Sequence, residues 1–247
     1  MIRLHVDGPA ARITFDRPEV LNAGDVAFVR ELTRTVAALQ ARPELRVVVL
    51  TGAGRAFSTG VDLTALAWRD LGLPDFIAWE DAMTAMERMD KLLIAGINGH
   101  CLGGGLQLAL VCDYRLAAED ALIGLPAVKE CLIPSMATYR LPRLIGMARA
   151  KELILEGAPI SSRQALEWGL VNRVVSGDEF ARALDETVER YLALPASSAL
   201  ASKRLTTSAF DLDFDTFRKA MTDALRAAME SPEHARAMAD IRARKPR

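Results

Sequence analysis

The chain has 247 residues, 51% hydrophobic and 26% charged, which suits a globular protein with one sizeable core. Its formal net charge is -1 with both signs interspersed, and no basic stripe or aromatic-interleaved patch points to nucleic acid. No stretch reaches the ~20 apolar residues of a membrane span, Met1 to His5 carry no signal pattern, and three cysteines without metal spacing argue against a disulfide framework, so a reducing cytoplasm is expected.

Residues 2–6 and 11–15 read as two strands joined at Asp7-Gly8-Pro9. Asp16-Arg17-Pro18 ends the second, and Asn22 or Asp25 is placed to cap a helix with Val29, Leu32, Val36 and Leu39 on one face. A strand over 45–50 leads into a glycine junction, Gly52-Ala53-Gly54. Residues 64–74 read as a loop with a short helix, closed by Gly72-Leu73-Pro74. A helix from Asp75 to about Lys91 carries Phe76, Trp79, Met83 and Met86 on one side, a spacing that usually marks core.

Leu92 to Ile97 then read as a buried strand, Gly103-Gly104-Gly105 as a second junction, and Leu106 to Val111 as a helix. Short strands are expected over 114–118 and 121–123. Ser161 with Gln164 forms a capping-box pattern closed by Gly169. From Asp178 the pattern is helical, punctuated at Pro195, and Ser231-Pro232 reads as an N-cap followed by proline at the first helical position. These elements describe a wound α/β core with a helical extension and no clear internal repeat.

Two glycine-rich strand-to-helix junctions let backbone approach a ligand closely, and one N–H from each can converge on a single oxygen. At this point the chain resembles the enoyl-CoA hydratase/isomerase (crotonase) superfamily. The resemblance rests on Asp16 to Ala23, Ala56 to Leu63, Asn98 to Gly105, Cys112 to Arg115, Gly124-Leu125-Pro126, Arg140 to Gly146 and Glu167 to Val171. It implies a crotonase-like spiral of ββα units over 1–190 and a C-terminal helical oligomerisation region over 191–247, which builds a homotrimer or a hexamer of paired trimers. It also implies a thioester enolate held by the backbone N–H groups of Val61 and Gly104. Main chain around Glu19, Val20, Leu21, Ala56, Phe57 and Ser58 would face the adenine and pantetheine of coenzyme A, with Asp62 and Leu63 just beyond. Trp68, Trp79 and Met83 would border the acyl pocket, and the basic tail from Ile241 to Arg247 would reach the CoA phosphates of a neighbouring subunit. Coenzyme A enters only as part of the substrate, with no separate cofactor and no metal. On the residues alone, Asp62 also reads as a helix N-cap and the tail as a solvated terminus.

The departures bear on the reaction. Hydratases of the superfamily use two glutamates, one two residues beyond the glycine triplet and one directly after Gly-x-Pro; here those positions hold Gln107 and Ala127. Neither side chain transfers a proton at neutral pH. Glu130, three residues after Ala127, would share its face on a helical turn, and His100 precedes the glycine loop as a second candidate; a solvated Lys129-Glu130 pair and a structural histidine are the plainer readings. Tyr139 and a shortened Pro134 to Thr138 segment would reshape the pocket wall. Gln107 is suited to hold a water or a substrate carboxylate by hydrogen bonds.

Three functions follow: an acyl-CoA enzyme of the hydratase/isomerase type with a substitute acid or base, a decarboxylase or C–C lyase that generates the enolate without one, and a non-catalytic acyl-CoA-binding subunit. A serine hydrolase lacks its Gly-x-Ser-x-Gly, and a phosphate loop lacks its Gly-Lys-Ser/Thr.

Overall fold

The computed structural model of the protein describes residues 1–244. In chain order the strands are β1 (Ile2–Asp7), β2 (Ala10–Phe15), β3 (Val47–Gly52), β4 (Ala56–Ser58), β5 (Leu92–Ile97), β6 (His100–Leu102), β7 (Tyr114–Ala118), β8 (Leu122–Gly124), β9 (Ile160–Ser161) and β10 (Arg173–Val175). The α-helices are α1 (Val26–Gln40), α2 (Leu63–Ala67), α3 (Leu73–Glu87), α4 (Gly104–Leu110), α5 (Ala137–Ile145), α6 (Met147–Glu156), α7 (Ser162–Glu167), α8 (Phe180–Leu192), α9 (Ala196–Ser208), α10 (Phe214–Met229) and α11 (Pro232–Arg244). Pro18–Val20 and Pro126–Glu130 form 3-10 turns.

Strands divide between two sheets in an alternating way. The larger sheet has the order β1-β2-β3-β5-β7-β10 and the smaller β4-β6-β8-β9. In each of the pairs β3/β4, β5/β6 and β7/β8, the first strand joins the larger sheet and the second the smaller. The chain therefore winds through both sheets with every turn, which is the ββα spiral. Apart from the β1–β2 hairpin, the larger sheet is parallel, and β3 and β5 are apolar runs buried on both faces, as parallel strands are.

Aromatic rings fill the space between β2, β4, α1 and α3. Phe15 meets Phe57 edge-on at 5.3 Å and Phe28 in a tilted contact at 5.6 Å, and Phe28 in turn meets Trp79 of α3 at 5.1 Å. The predicted face of α1 (Val29, Leu32, Val36 and Leu39) is buried, and Asp25 caps the helix by accepting from Phe28 N. Asn22 does not cap it. Its side chain is fully buried, and its Nδ2 donates to the carbonyls of Ala53 (2.9 Å), Ala56 (2.8 Å) and Phe57 (3.2 Å).

Several boundaries differ from the sequence reading. The long helix starts at Leu73 and stops at Glu87, because Gly72 is its N-cap, Pro74 fits in the first turn, and Asp75 reaches back to Gly72 N. Strand 45–50 lies at Val47–Gly52, strand 121–123 at Leu122–Gly124, and helix 106–111 at Gly104–Leu110. A three-residue strand adjoins each glycine junction, β4 after Gly52-Ala53-Gly54 and β6 before Gly103-Gly104-Gly105, so neither β3 nor β5 leads directly into a helix. Ser161 accepts from Gln164 N at the start of α7, and Ser231 accepts from His234 N before Pro232, both as the sequence suggests.

The chain divides into two compact units after Glu189, within α8. In the second unit, α10 leaves Phe214, Met221, Leu225 and Met229 exposed along one face. Lys245, Pro246 and Arg247, part of the basic tail read for CoA phosphates, lie outside the described residues.

Candidate active site

A cavity of about 400 Å³ opens in the first unit where β4, β6 and β8 hand over to the segments that follow them. It is lined by Val61, Gly104, Gln107, Ala127 and Glu130, so the five candidate catalytic positions, spread over 70 residues of sequence, border one cavity. Val20, Asp62, Leu63, Trp79 and Met83 also line it.

The backbone explains how two amides come to be available there. Gly24 and Val61 form an isolated parallel bridge in which Gly24 N donates to Gly60 O (2.7 Å) and Gly24 O accepts from Asp62 N (2.9 Å). Peptide groups alternate along an extended chain, so the N–H of Val61 is turned away from Gly24. Gly104 is the first residue of α4, where an amide has no acceptor within its own helix. Among the described residues, neither Val61 N nor Gly104 N donates a hydrogen bond.

Two glycines hold these segments together by absence of a side chain. A Cβ on Gly60, whose φ is +87°, would lie 2.3 Å from Gly104 N. A Cβ on Gly105 would lie 2.0 Å from Ser58 O. Ser58 contributes from the other side: its hydroxyl donates to Asn22 O (2.9 Å) and accepts from Gly60 N (3.1 Å). Asn98 accepts from Gly52 N (2.9 Å) and donates to Gly54 O (2.9 Å) and Ala56 O (3.2 Å), which fixes the first junction to the second.

Ala127 and Glu130 stand three residues apart on the 3-10 turn Pro126–Glu130, where side chains at that spacing eclipse, so both reach the cavity. The lining continues through Leu132 to Ser135, which runs into the shortened segment Pro134 to Thr138; Cys131, just before it, and Ser135 adopt left-handed φ of 55° and 38°. Gln107 is 8% exposed and its Oε1 is sealed from solvent without a partner; Nε1 of Trp79, which is 4% exposed, is in the same condition.

Other predicted positions fall elsewhere. Glu19, Leu21, Ala56, Phe57 and Ser58 do not line this cavity: Phe57 is core, Ser58 ties the turn before Gly60, and Leu21 O accepts from Thr59 N. Asp62 caps α2 by accepting from Thr64 N (3.0 Å) and Ala65 N (3.2 Å), and it pairs with Arg17 at 3.7 Å. Trp68 is 78% exposed and borders only a shallow neighbouring depression, while His100 and Tyr139 are absent from the cavity wall.

Outside the cavity lining, α5 and α3 are joined by an ion-pair cluster that the sequence did not announce. Arg140 of α5, almost fully buried, meets Glu80 (2.7 Å) and Glu87 (3.0 Å) of α3 and donates to Thr84 Oγ1 (3.1 Å). Burial works against the guanidinium charge, but the hydrogen bonds to the two carboxylates outweigh it and its pKa is raised. Burial likewise pushes the Cys101 thiol far up, which leaves it inert. Among the described residues, no group of three or more His, Cys, Asp or Glu side chains is placed to hold a metal, and no helix is long and apolar enough to cross a membrane.

Comparison with known proteins adds to this geometry. The family model described as enoyl-CoA hydratase/isomerase matches residues 7–241. A probable enoyl-CoA hydratase of Mycobacterium bovis is 34% identical over 203 residues, 81% of this chain and 78% of the relative. A carnitinyl-CoA dehydratase of Salmonella typhi is 37% identical over 192 residues, 76% of this chain and 73% of the relative. The crystal structure of an enoyl-CoA hydratase from Bacillus anthracis superposes with a TM-score of 0.91 at 30% identity, covering 99% of this chain and 96% of that one. The chain thus belongs to the enoyl-CoA hydratase/isomerase family of the crotonase superfamily, and with it to the enzymes that process acyl-CoA thioesters.

Proposed function

We propose that the protein stabilises a thioester enolate between the N–H groups of Val61 and Gly104 and moves the α-proton with Glu130, as an isomerase- or hydratase-type enzyme whose two usual glutamate positions are Gln107 and Ala127. The observation that carries this reading is that two amides without acceptors and Glu130 line a single cavity, while its other acidic residue, Asp62, is held as a helix cap and by Arg17. Two fixed N–H donors favour the enolate oxygen over the ground-state carbonyl, because charge on that oxygen grows as the α-proton leaves. Glu130 accepts the proton and returns it to the same or the γ-carbon, so one carboxylate suffices for isomerisation.

Loss of carbon dioxide is the second route to the enolate, and the cavity gives it less support. Its substrate carries a carboxylate, and none of the lining residues is a Lys, Arg or His that would hold one. Coenzyme A enters as part of the substrate and no other cofactor is required. The exposed apolar face of α10 supports association of the chain with copies of itself.

The test is incubation with saturated, enoyl, β-keto and malonyl-type CoA thioesters in deuterated water, with products read by mass spectrometry. Deuterium at the α-carbon, double-bond migration or hydration supports the reading. Decarboxylation alone transfers support to the second route. Binding of thioesters without any change in them would make the chain a binding subunit.

A further inference from the structure

We infer that Ser58 is a positioning residue for the candidate oxyanion donors: its buried hydroxyl pins the Gly60 peptide and so fixes the direction of the Val61 N–H. This role rests on the oxyanion reading of the Val61 and Gly104 amides. The family resemblance places the main chain around Ser58 against coenzyme A, yet Ser58 is fully buried and absent from the cavity lining. Its side chain acts on the backbone instead.

Three of the four amides from Thr59 to Asp62 are committed. Thr59 N donates to Leu21 O (3.1 Å), Gly60 N to Ser58 Oγ (3.1 Å) and Asp62 N to Gly24 O (2.9 Å), which leaves Val61 N without an acceptor among the described residues. Of the three acceptors, only Ser58 Oγ belongs to a side chain. The peptide that carries the Val61 N–H is held at its carbonyl, where Gly60 O accepts from Gly24 N (2.7 Å). Held there alone, it is free to swing about that bond, because Gly60 at φ +87° has no Cβ to limit its torsions. Ser58 holds the preceding peptide, so both planes that meet at Gly60 are fixed.

The hydroxyl is itself held in one orientation. It donates to Asn22 O (2.9 Å), so its proton points there and a lone pair is left for Gly60 N. The segment of the second donor rests on the same residue by shape alone: a Cβ on Gly105, next to Gly104, would lie 2.0 Å from Ser58 O and 3.0 Å from Ser58 Cβ. Ser58→Ala keeps that contact and removes only the two hydrogen bonds, to Gly60 N and Asn22 O. The substitution therefore separates the pin from the packing.

Infrared difference spectroscopy of butyryl-CoA, isotope-labelled at the thioester carbonyl and compared bound and free, tests this on the intact protein. Hydrogen bonds to the carbonyl oxygen lower its stretching frequency, whereas a loss of stability alone leaves the frequency unchanged in the molecules that still bind. The wild type should show a downshift, and Ser58→Ala should keep less than half of it. Exchange of the α-proton of the same ligand should slow about tenfold, short of the ~10²–10³ of a lost donor, with the dissociation constant within a few-fold. Ser58→Cys, close in shape but with a weak sulfur acceptor, should fall between the two, and it carries the test if the alanine variant does not fold. A full wild-type downshift in either variant would overturn the role of Ser58 and leave the oxyanion reading standing. No downshift in the wild type would overturn both.

Discussion

Gly60 and Gly104 are in contact through their backbones: a Cβ on Gly60 would lie 2.3 Å from the Gly104 nitrogen. The two candidate oxyanion donors are therefore set by one glycine-to-glycine approach. Gly60→Ala would push the segments apart and force alanine to φ +87°. Activity on the preferred thioester should fall by about 10²–10³, the value of one misplaced donor. The fall should appear in kcat more than in KM, because the donors act chiefly on the transition state.

Asn22 holds the same region from below. Asn22→Ala would leave the carbonyls of Ala53, Ala56 and Phe57 without this donor and place alanine at φ +57°. Ala56 O keeps its bond from Asn98, so the loss concentrates on the other two. Stability should drop by on the order of 2–4 kcal/mol, read from the denaturant midpoint at unchanged slope.

Arg140 joins α5 to α3. Arg140→Met should cost about 3 kcal/mol, because Glu80 and Glu87 would keep their charges in a half-buried setting without a counter-ion. Adding Glu80→Gln and Glu87→Gln should recover part of that loss in thermal denaturation. A further drop in the triple variant would contradict the ion-pair account.

The apolar face of α10 gives a separate prediction for assembly. Leu225→Asp places a charge at the centre of the row formed by Phe214, Met221 and Met229. Light scattering should report an oligomer for the wild type and a monomer for the variant. A wild-type monomer would remove the face as an assembly surface.

Individual strands and helices were legible where residues signal locally, whereas the spiral was implied only by the family resemblance. The apolar runs of β3 and β5, the Asp25 cap and the α1 face were all readable, because strand and helix periodicity need only near neighbours. Strands β4 and β6 were not, since three residues inside glycine-rich segments carry no period and owe their state to pairing with each other. The same limit hid the roles of Asn22, Ser58 and Arg140, whose distant partners lie 31 to 35, 36 and 53 to 60 residues away. Glu130 was legible as a neighbour of Ala127 because a single turn joins them. Trp79 read as core from its spacing and as a pocket border by resemblance; it is buried and lines the cavity.

The most direct test compares α-proton exchange in Glu130→Gln with the wild type, using a bound CoA thioester in deuterated water. The account predicts exchange slowed by about 10²–10⁴ with the dissociation constant of the thioester nearly unchanged, since an amide fills the same space and accepts no proton. Undiminished exchange in the variant would contradict the role of Glu130 and return the proton transfer to another group in the cavity.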